Sequence, residues 1–314
     1  MKKYINKILC VAIAWTLLSC SSFLDVVPDN VPSIDHAFQN RGESEKYLVG
    51  LYSYMPVFTN TGENPALTGA VEEWRNWDMG AGAWQTWQLA CNAINSNDPY
   101  SSYFEGTNNG KPYYRALRDI NIFLENIHKP YDLEDWERQQ WVAEALFLKA
   151  YYHFWLFRMY GPIPLVPDNI TIDEEAETVQ RYRDPVDSCV NFIASLLDRA
   201  IEGLPSRVSN EVRDLGKPTK VVALAVKAQL LTYAASPLFN GNTDYADYID
   251  ARGIQLFPQE YDASKWQRAA DALKKAIDAA HDVRMELYDF RTAASSMMIA
   301  QLLSDETINA MQVR

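Results

Sequence analysis

Gln139-Gln-Trp-Val-Ala-Glu-Ala-Leu-Phe-Leu-Lys-Ala-Tyr-Tyr-His-Phe-Trp-Leu-Phe-Arg-Met-Tyr160, followed by Gly161-Pro-Ile-Pro-Leu-Val-Pro167, is the stretch whose reading decides the fold. Trp141, Ala145, Leu148, Tyr152, Trp155 and Met159 recur at helical spacing and make one apolar face. Two further rows (Val142, Leu146, Leu156; Ala150, Phe154, Phe157) widen that face to nearly the whole circumference. A helix apolar almost all round is buried on several sides or crosses a membrane. Glu144, Lys149 and Arg158, with His153, interrupt every run long enough to span a bilayer, so the spacing predicts a central core helix. Gly161 is suited to end it, since glycine accepts the left-handed conformation, and Pro162 and Pro164 forbid continuation.

With 314 residues the chain has room for one large or two ordinary domains around this helix. Hydrophobic residues make up 48%, enough for a substantial core, and nine tryptophans are more than helix packing requires. The formal charge of −12 disfavours nucleic acid, because binding there depends on Lys and Arg neutralising phosphates. Residues 1–19 read as a targeting segment: Lys2, Lys3 and Lys7 precede an apolar stretch, Ile8 to Leu18, too short for an ordinary spanning helix. The run Leu17-Leu18-Ser19-Cys20 resembles a bacterial lipobox, which implies acylation of Cys20. Several acyl chains on one residue give stable anchoring where one chain is marginal. Residues 20–33 then form a short tether, and Cys91 and Cys189 read as two separate buried thiols.

Downstream, Ser33 or Asp35 is placed to cap a first helix running to about Tyr54, with Phe38, Tyr47, Leu48, Leu51 and Met55 as its stripe. Residues 59–111 lack strong periodicity and are rich in Trp, Asn and Gly; short helical pieces are expected near 67–77 and 81–90. Such long aperiodic segments in a domain are usually functional or disordered, and the aromatic content argues against disorder. Periodicity returns at 114–127, with Leu117, Ile120, Phe123, Leu124 and Ile127 on one face and Asn121 among them. Helices at 186–204, at 221–235 (rich in Ala) and from a Ser264 cap to 282 complete the order. On the last, Trp266, Ala270, Leu273, Ile277 and Ala280 share a face. Long helix, link and shorter helix thus occur twice, 135–160 with 186–204 and 219–235 with 264–282. These resemble tetratricopeptide units with lengthened links.

The run Ala-Glu-Ala-Leu-Phe-Leu-Lys-Ala-Tyr-Tyr (143–152) before Gly-Pro-Ile-Pro-Leu-Val (161–166) resembles the signature of the SusD/RagB family. Phe23-Leu24-Asp25 with Pro28, the 114–127 helix with its Asn, and the turn Ser236-Pro-Leu-Phe-Asn-Gly241 add to the resemblance. One departure is Lys149, where the family more often has Arg; a planar bidentate contact is altered and the fold expectation stands. The family comprises cell-surface lipoproteins that bind glycans and other nutrients beside a TonB-dependent transporter. The resemblance therefore implies a mostly α, SusD-like fold of tetratricopeptide-like helix pairs over 34–282, with a Trp-rich loop insertion at 59–111. It implies outer-membrane anchoring at the cell surface and delivery of ligand to a SusC-type transporter, without catalysis or cofactor. It also implies that 283–314 begins a further C-terminal part.

The aromatic segment is the candidate site. Trp74, Trp77, Trp84, Trp87, Tyr100 and Tyr103 are interleaved with polar residues, of which Asn76 and Asp78 are the nearest to the first pair. Sugars offer flat C–H faces to rings and hydroxyls to amides and carboxylates, and burial of one ring face contributes about 1–2 kcal/mol. The bland alternative is that these rings pin a long loop onto the helices. Glu72 and Glu73 suggest a catalytic pair, but adjacent residues point apart, whereas glycoside hydrolysis needs carboxyls facing each other across about 5–10 Å. The four histidines are scattered and make no i, i+4 pair, which argues against zinc. His153 reads as a hydrogen-bonded core histidine. A surface glycoside hydrolase and a tetratricopeptide scaffold for proteins remain the competing readings.

Overall fold

The computed structural model describes residues 34–57, 91, 93, 95, 97, 99, 102–107, 110–171, 173–175 and 179–287. Among the described residues seven α-helices run in chain order: α1 Ile34–Ala37, α2 Arg41–Tyr52, α3 Tyr113–Asn126, α4 Asp135–Tyr160, α5 Val186–Gly203, α6 Lys220–Ala235 and α7 Ser264–Asp282. A short 3₁₀ turn, Thr243–Tyr245, precedes α7, and no strand occurs among the described residues. Each helix from α3 to α7 packs on the next, and α2 lies against both α3 and α4. The expected mostly α, SusD-like array of helix pairs is the observed one, with the predicted ends displaced by only a residue or so.

The long helix α4 is central, as its all-round apolar pattern requires. Trp141, Leu148, Tyr152, Phe154, Trp155 and Phe157 are all buried, against neighbours from α2, α3 and α5. Its charges are absorbed individually. Glu144 is fully buried and accepts from Tyr52 Oη (2.9 Å) and Gln140 Nε2 (3.1 Å); burial pushes its carboxyl above the usual range. Arg158 lies over the Trp155 and Tyr233 rings at 5.2 and 5.3 Å, so it screens α4 aromatic surface while keeping its charge near water. Arg41 ties α2 to α4, bonding Glu137 at 2.7 Å and lying 5.4 Å from the Trp141 ring. Gly161 takes φ 67° and its N–H returns to Phe157 O at 2.9 Å, closing the helix as expected.

Four expectations are corrected. The single first helix is split, because Asn40 accepts from Glu43 N at 3.0 Å and restarts the chain as an N-cap at α2. On α7 the buried residues are Ala269, Ala272 and Ala276, whereas Trp266, Leu273 and Ile277 are 43%, 45% and 51% exposed. Small side chains let α7 lie close on Ala-rich α6, and the large ones are turned outward. Ser264 is the first residue of α7 rather than its cap; its N–H goes to Asp262 Oδ1 at 2.8 Å. Of the two thiols, Cys189 is buried and Cys91 is exposed, and they are not joined. Burial pushes the Cys189 thiol up to about 12, and its Sγ–H donates to Asp184 O at 3.3 Å.

Candidate ligand-binding cleft

Residues 161–167 cannot form regular structure, since three of them are prolines and lack the N–H that a ladder needs. Their remaining backbone groups must still be bonded, because the crossing runs over the core. Side chains from three elements do this. Pro162 O accepts from Arg183 Nη1 (2.7 Å), Pro164 O from Tyr114 Oη (3.1 Å) and Pro167 O from Lys149 Nζ. Leu165 N donates to Asp184 Oδ2 at 3.0 Å, and Val166 N donates to His153 Nε2 at 3.2 Å. The other imidazole nitrogen, Nδ1, faces Lys149 O at 2.8 Å, so the ring donates there and accepts at Nε2. The helix signature and the Pro-rich run that follows it are thus two halves of one contact.

The neutral tautomer this requires is enforced by burial, which takes the fully enclosed His153 down to about 3. Between pH 6.5 and 3 the unfolded chain binds a proton that the folded chain refuses. Stability is therefore whole above pH 6.5 and is lost as pH falls below it. Relative to His153→Gln, the unsubstituted protein is expected to lose about 2 kcal/mol between pH 7.5 and pH 5. Denaturant midpoints of the two proteins at both pH values measure this. Glu144, whose raised carboxyl acts in the opposite direction, is present in both and cancels.

The root of the aromatic segment is fastened to the same region. Tyr103 is buried, stacks on Tyr113 (5.5 Å, 11°) and meets Trp155 edge-on at 5.7 Å. Its N–H donates to Tyr160 Oη at 3.0 Å, and its carbonyl accepts from Tyr113 N at 3.1 Å. Phe104 sits between Tyr114 (4.9 Å) and Tyr160 (4.7 Å). For Tyr103 the pinning role is the observed one. Trp74, Trp77, Trp84, Trp87, Asn76, Asp78 and Cys20 lie outside the described residues.

Beside this root opens a cleft of about 410 Å³. Phe104 and Tyr114 form its aromatic wall, the crossing contributes Pro164 and Val166, and Arg118, Asp168, Asn169 and Arg181 supply polar groups. Arg181 Nη1 is steadied by Leu165 O at 3.2 Å. A half-buried ring wall edged by an amide, a carboxylate and guanidinium groups suits a ligand that presents both C–H faces and hydroxyls. Sequence reading missed these residues because they come from four separate segments between 104 and 181. The one available signal was the Pro-rich crossing, whose bonding needs draw side chains together. A larger groove of about 810 Å³ separates α5 from α7. It is bridged by Lys265–Asp187 (2.6 Å) and Arg268–Asn191 (2.8 Å), and it reads as a seam between helix pairs. Among the described residues no cluster of His, Cys, Asp or Glu could hold a metal, and no helix is long and apolar enough to cross a membrane.

Fold and cleft together define an array of helix pairs with an open, ring-walled cleft on its side. The chain belongs to the SusD/RagB family: the model of SusD-like proteins described as starch-binding and associating with the outer membrane matches residues 22–231. Among solved structures, BT4246 is 30% identical, with 84% of this chain and 43% of that protein aligned at a TM-score of 0.65. A SusD-like protein of Bacteroides fragilis is 23% identical, with 64% of this chain and 36% of that one aligned at a TM-score of 0.54. A laminarin-binding SusD-like protein is 19% identical, with 63% and 41% aligned at a TM-score of 0.53. The latter two likenesses concern the fold alone. The aligned part is under half the length of each of these structures. No curated protein matches the chain.

Proposed function

We propose that this is an outer-membrane surface lipoprotein that captures glycan and passes it, unaltered, to a SusC-type TonB-dependent transporter. In this reading residues 1–19 are removed, Cys20 carries the lipid and 20–33 is the tether. The observation that supports ligand capture most directly is the cleft beside Phe104 and Tyr114, at the root of the segment that carries Trp74, Trp77, Trp84 and Trp87. In this reading Trp74, Trp77, Trp84 and Trp87, with Asn76 and Asp78, also contact the ligand. The family's description as starch-binding and outer-membrane-associated favours a polysaccharide ligand.

Affinity electrophoresis of the full chain through gels containing starch, laminarin and other polysaccharides tests this. Retardation by at least one polysaccharide is expected, and Trp74→Ala with Trp84→Ala is expected to abolish it. No new reducing ends should appear on prolonged incubation. A chain that migrates freely through every gel, or that releases oligosaccharides, overturns the reading.

A further inference from the structure

On the far side of Asp168 from the aromatic cleft lies a second cleft of about 310 Å³, between α3, α4 and the crossing. Its floor is aliphatic, formed by Leu124, Val142 and Leu146, and it offers no ring face. Two buried side chains reach into it, Asn121 (3% exposed) and Lys149 (4% exposed). The Asn121 Nδ2 amide has no hydrogen-bond partner among the described residues, an uncommon and unfavourable state for a buried donor. Lys149 uses one of its three N–H groups on Pro167 O, and the carboxylates of Asp168 and Glu125 at the rim act on its charge without a direct ion pair among the described residues. Arg199 adds a guanidinium from α5. Facing these donors are the exposed carboxylates of Glu125, which Asn169 Nδ2 reaches at 3.5 Å, and Asp168.

The buried groups are thus all donors, one of them cationic, while the acidic groups stand at the rim. We propose that this cleft is a carboxylate subsite, taking the acidic group of a sugar acid such as a hexuronate. An incoming carboxylate gives Asn121 its missing acceptor and accepts a charge-assisted hydrogen bond from an N–H of Lys149 that Pro167 O leaves over. The sugar hydroxyls then meet Asp168 and Glu125, and a chain continuing past Asp168 enters the aromatic cleft. The inference rests on the glycan reading and narrows it to polymers with acidic residues.

Equilibrium dialysis of the full chain with radiolabelled glucuronate tests it, with glucuronamide and glucose as neutral comparisons. Glucuronate is expected to bind at least tenfold more tightly than glucuronamide. Lys149→Met and Asn121→Leu should each remove at least tenfold of that affinity, and Lys149→Arg should restore most of it. Equal binding of glucuronate and glucuronamide by the unsubstituted chain overturns the proposal, whether or not the variants fold. So does a folded Lys149→Met protein with unchanged affinity. N-acetylalanine binding as tightly as glucuronate would overturn the sugar assignment in favour of a peptide carboxylate. Polysaccharide retardation is read separately, so its failure sinks the capture reading while leaving the glucuronate measurement to stand by itself.

Discussion

Replacing Tyr103 by Ala is expected to cost about 3–5 kcal/mol, the range for removing a buried aromatic ring. The ring is 2% exposed and lies against Tyr113 and Trp155, so its removal leaves a cavity bounded by α3 and α4. Neither neighbour can close that cavity easily: Tyr113 is also stacked on Tyr152 at 5.1 Å, and Trp155 is held within the central helix. The backbone bonds of Tyr103 to Tyr160 and Tyr113 depend on the ring holding the chain in place. A denaturation midpoint measures the loss. Polysaccharide retardation should weaken as well, because Phe104, the first ring of the cleft, follows directly. A cost below about 1 kcal/mol would show that the root of the segment is not anchored by this ring.

The second large effect is expected at Gly241, the end of the turn Ser236-Pro-Leu-Phe-Asn-Gly. Its φ is 74°, and an added Cβ would stand 2.7 Å from Tyr261 N and 2.8 Å from Tyr261 Cα. Those are backbone atoms and cannot rotate aside. The close approach exists because Asn240 clamps the link before α7: its Nδ2 donates to Asp262 O and its Oδ1 accepts from Asp262 N, both at 2.9 Å. Gly241→Ala should therefore combine the left-handed penalty with overpacking, about 2–4 kcal/mol in all. Gly216→Ala is the control, since Gly216 has φ 94° but nothing within 4 Å of an added Cβ. It should show only the conformational part, about 1–2 kcal/mol. Equal losses at the two glycines in thermal or denaturant unfolding would refute the clamp.

Gly241 falls in a turn that the sequence displayed without explaining, as Lys149 and His153 do in the central helix. Only the tertiary structure shows that Asn240 holds the link before α7, and that Lys149 and His153 bond the crossing's backbone. The cleft residues Phe104, Tyr114, Asn169 and Arg181 carried no pattern at all. They belong to different segments, and no local period connects residues that meet only because α3, α4 and a proline-rich strap converge.

The sequence by itself determined the helices, their order and the burial of α4, because periodicity and capping act over a few residues at a time. It could not choose which face of α7 is buried. Close helix packing rewards small side chains, so alanines took the contact and Trp266, Leu273 and Ile277 turned outward. Nor could it bring Asn121 and Lys149 to one cleft or leave the Asn121 amide without a partner among the described residues. That was decided by tertiary structure, since whether a buried polar group is satisfied depends on what the rest of the chain places beside it.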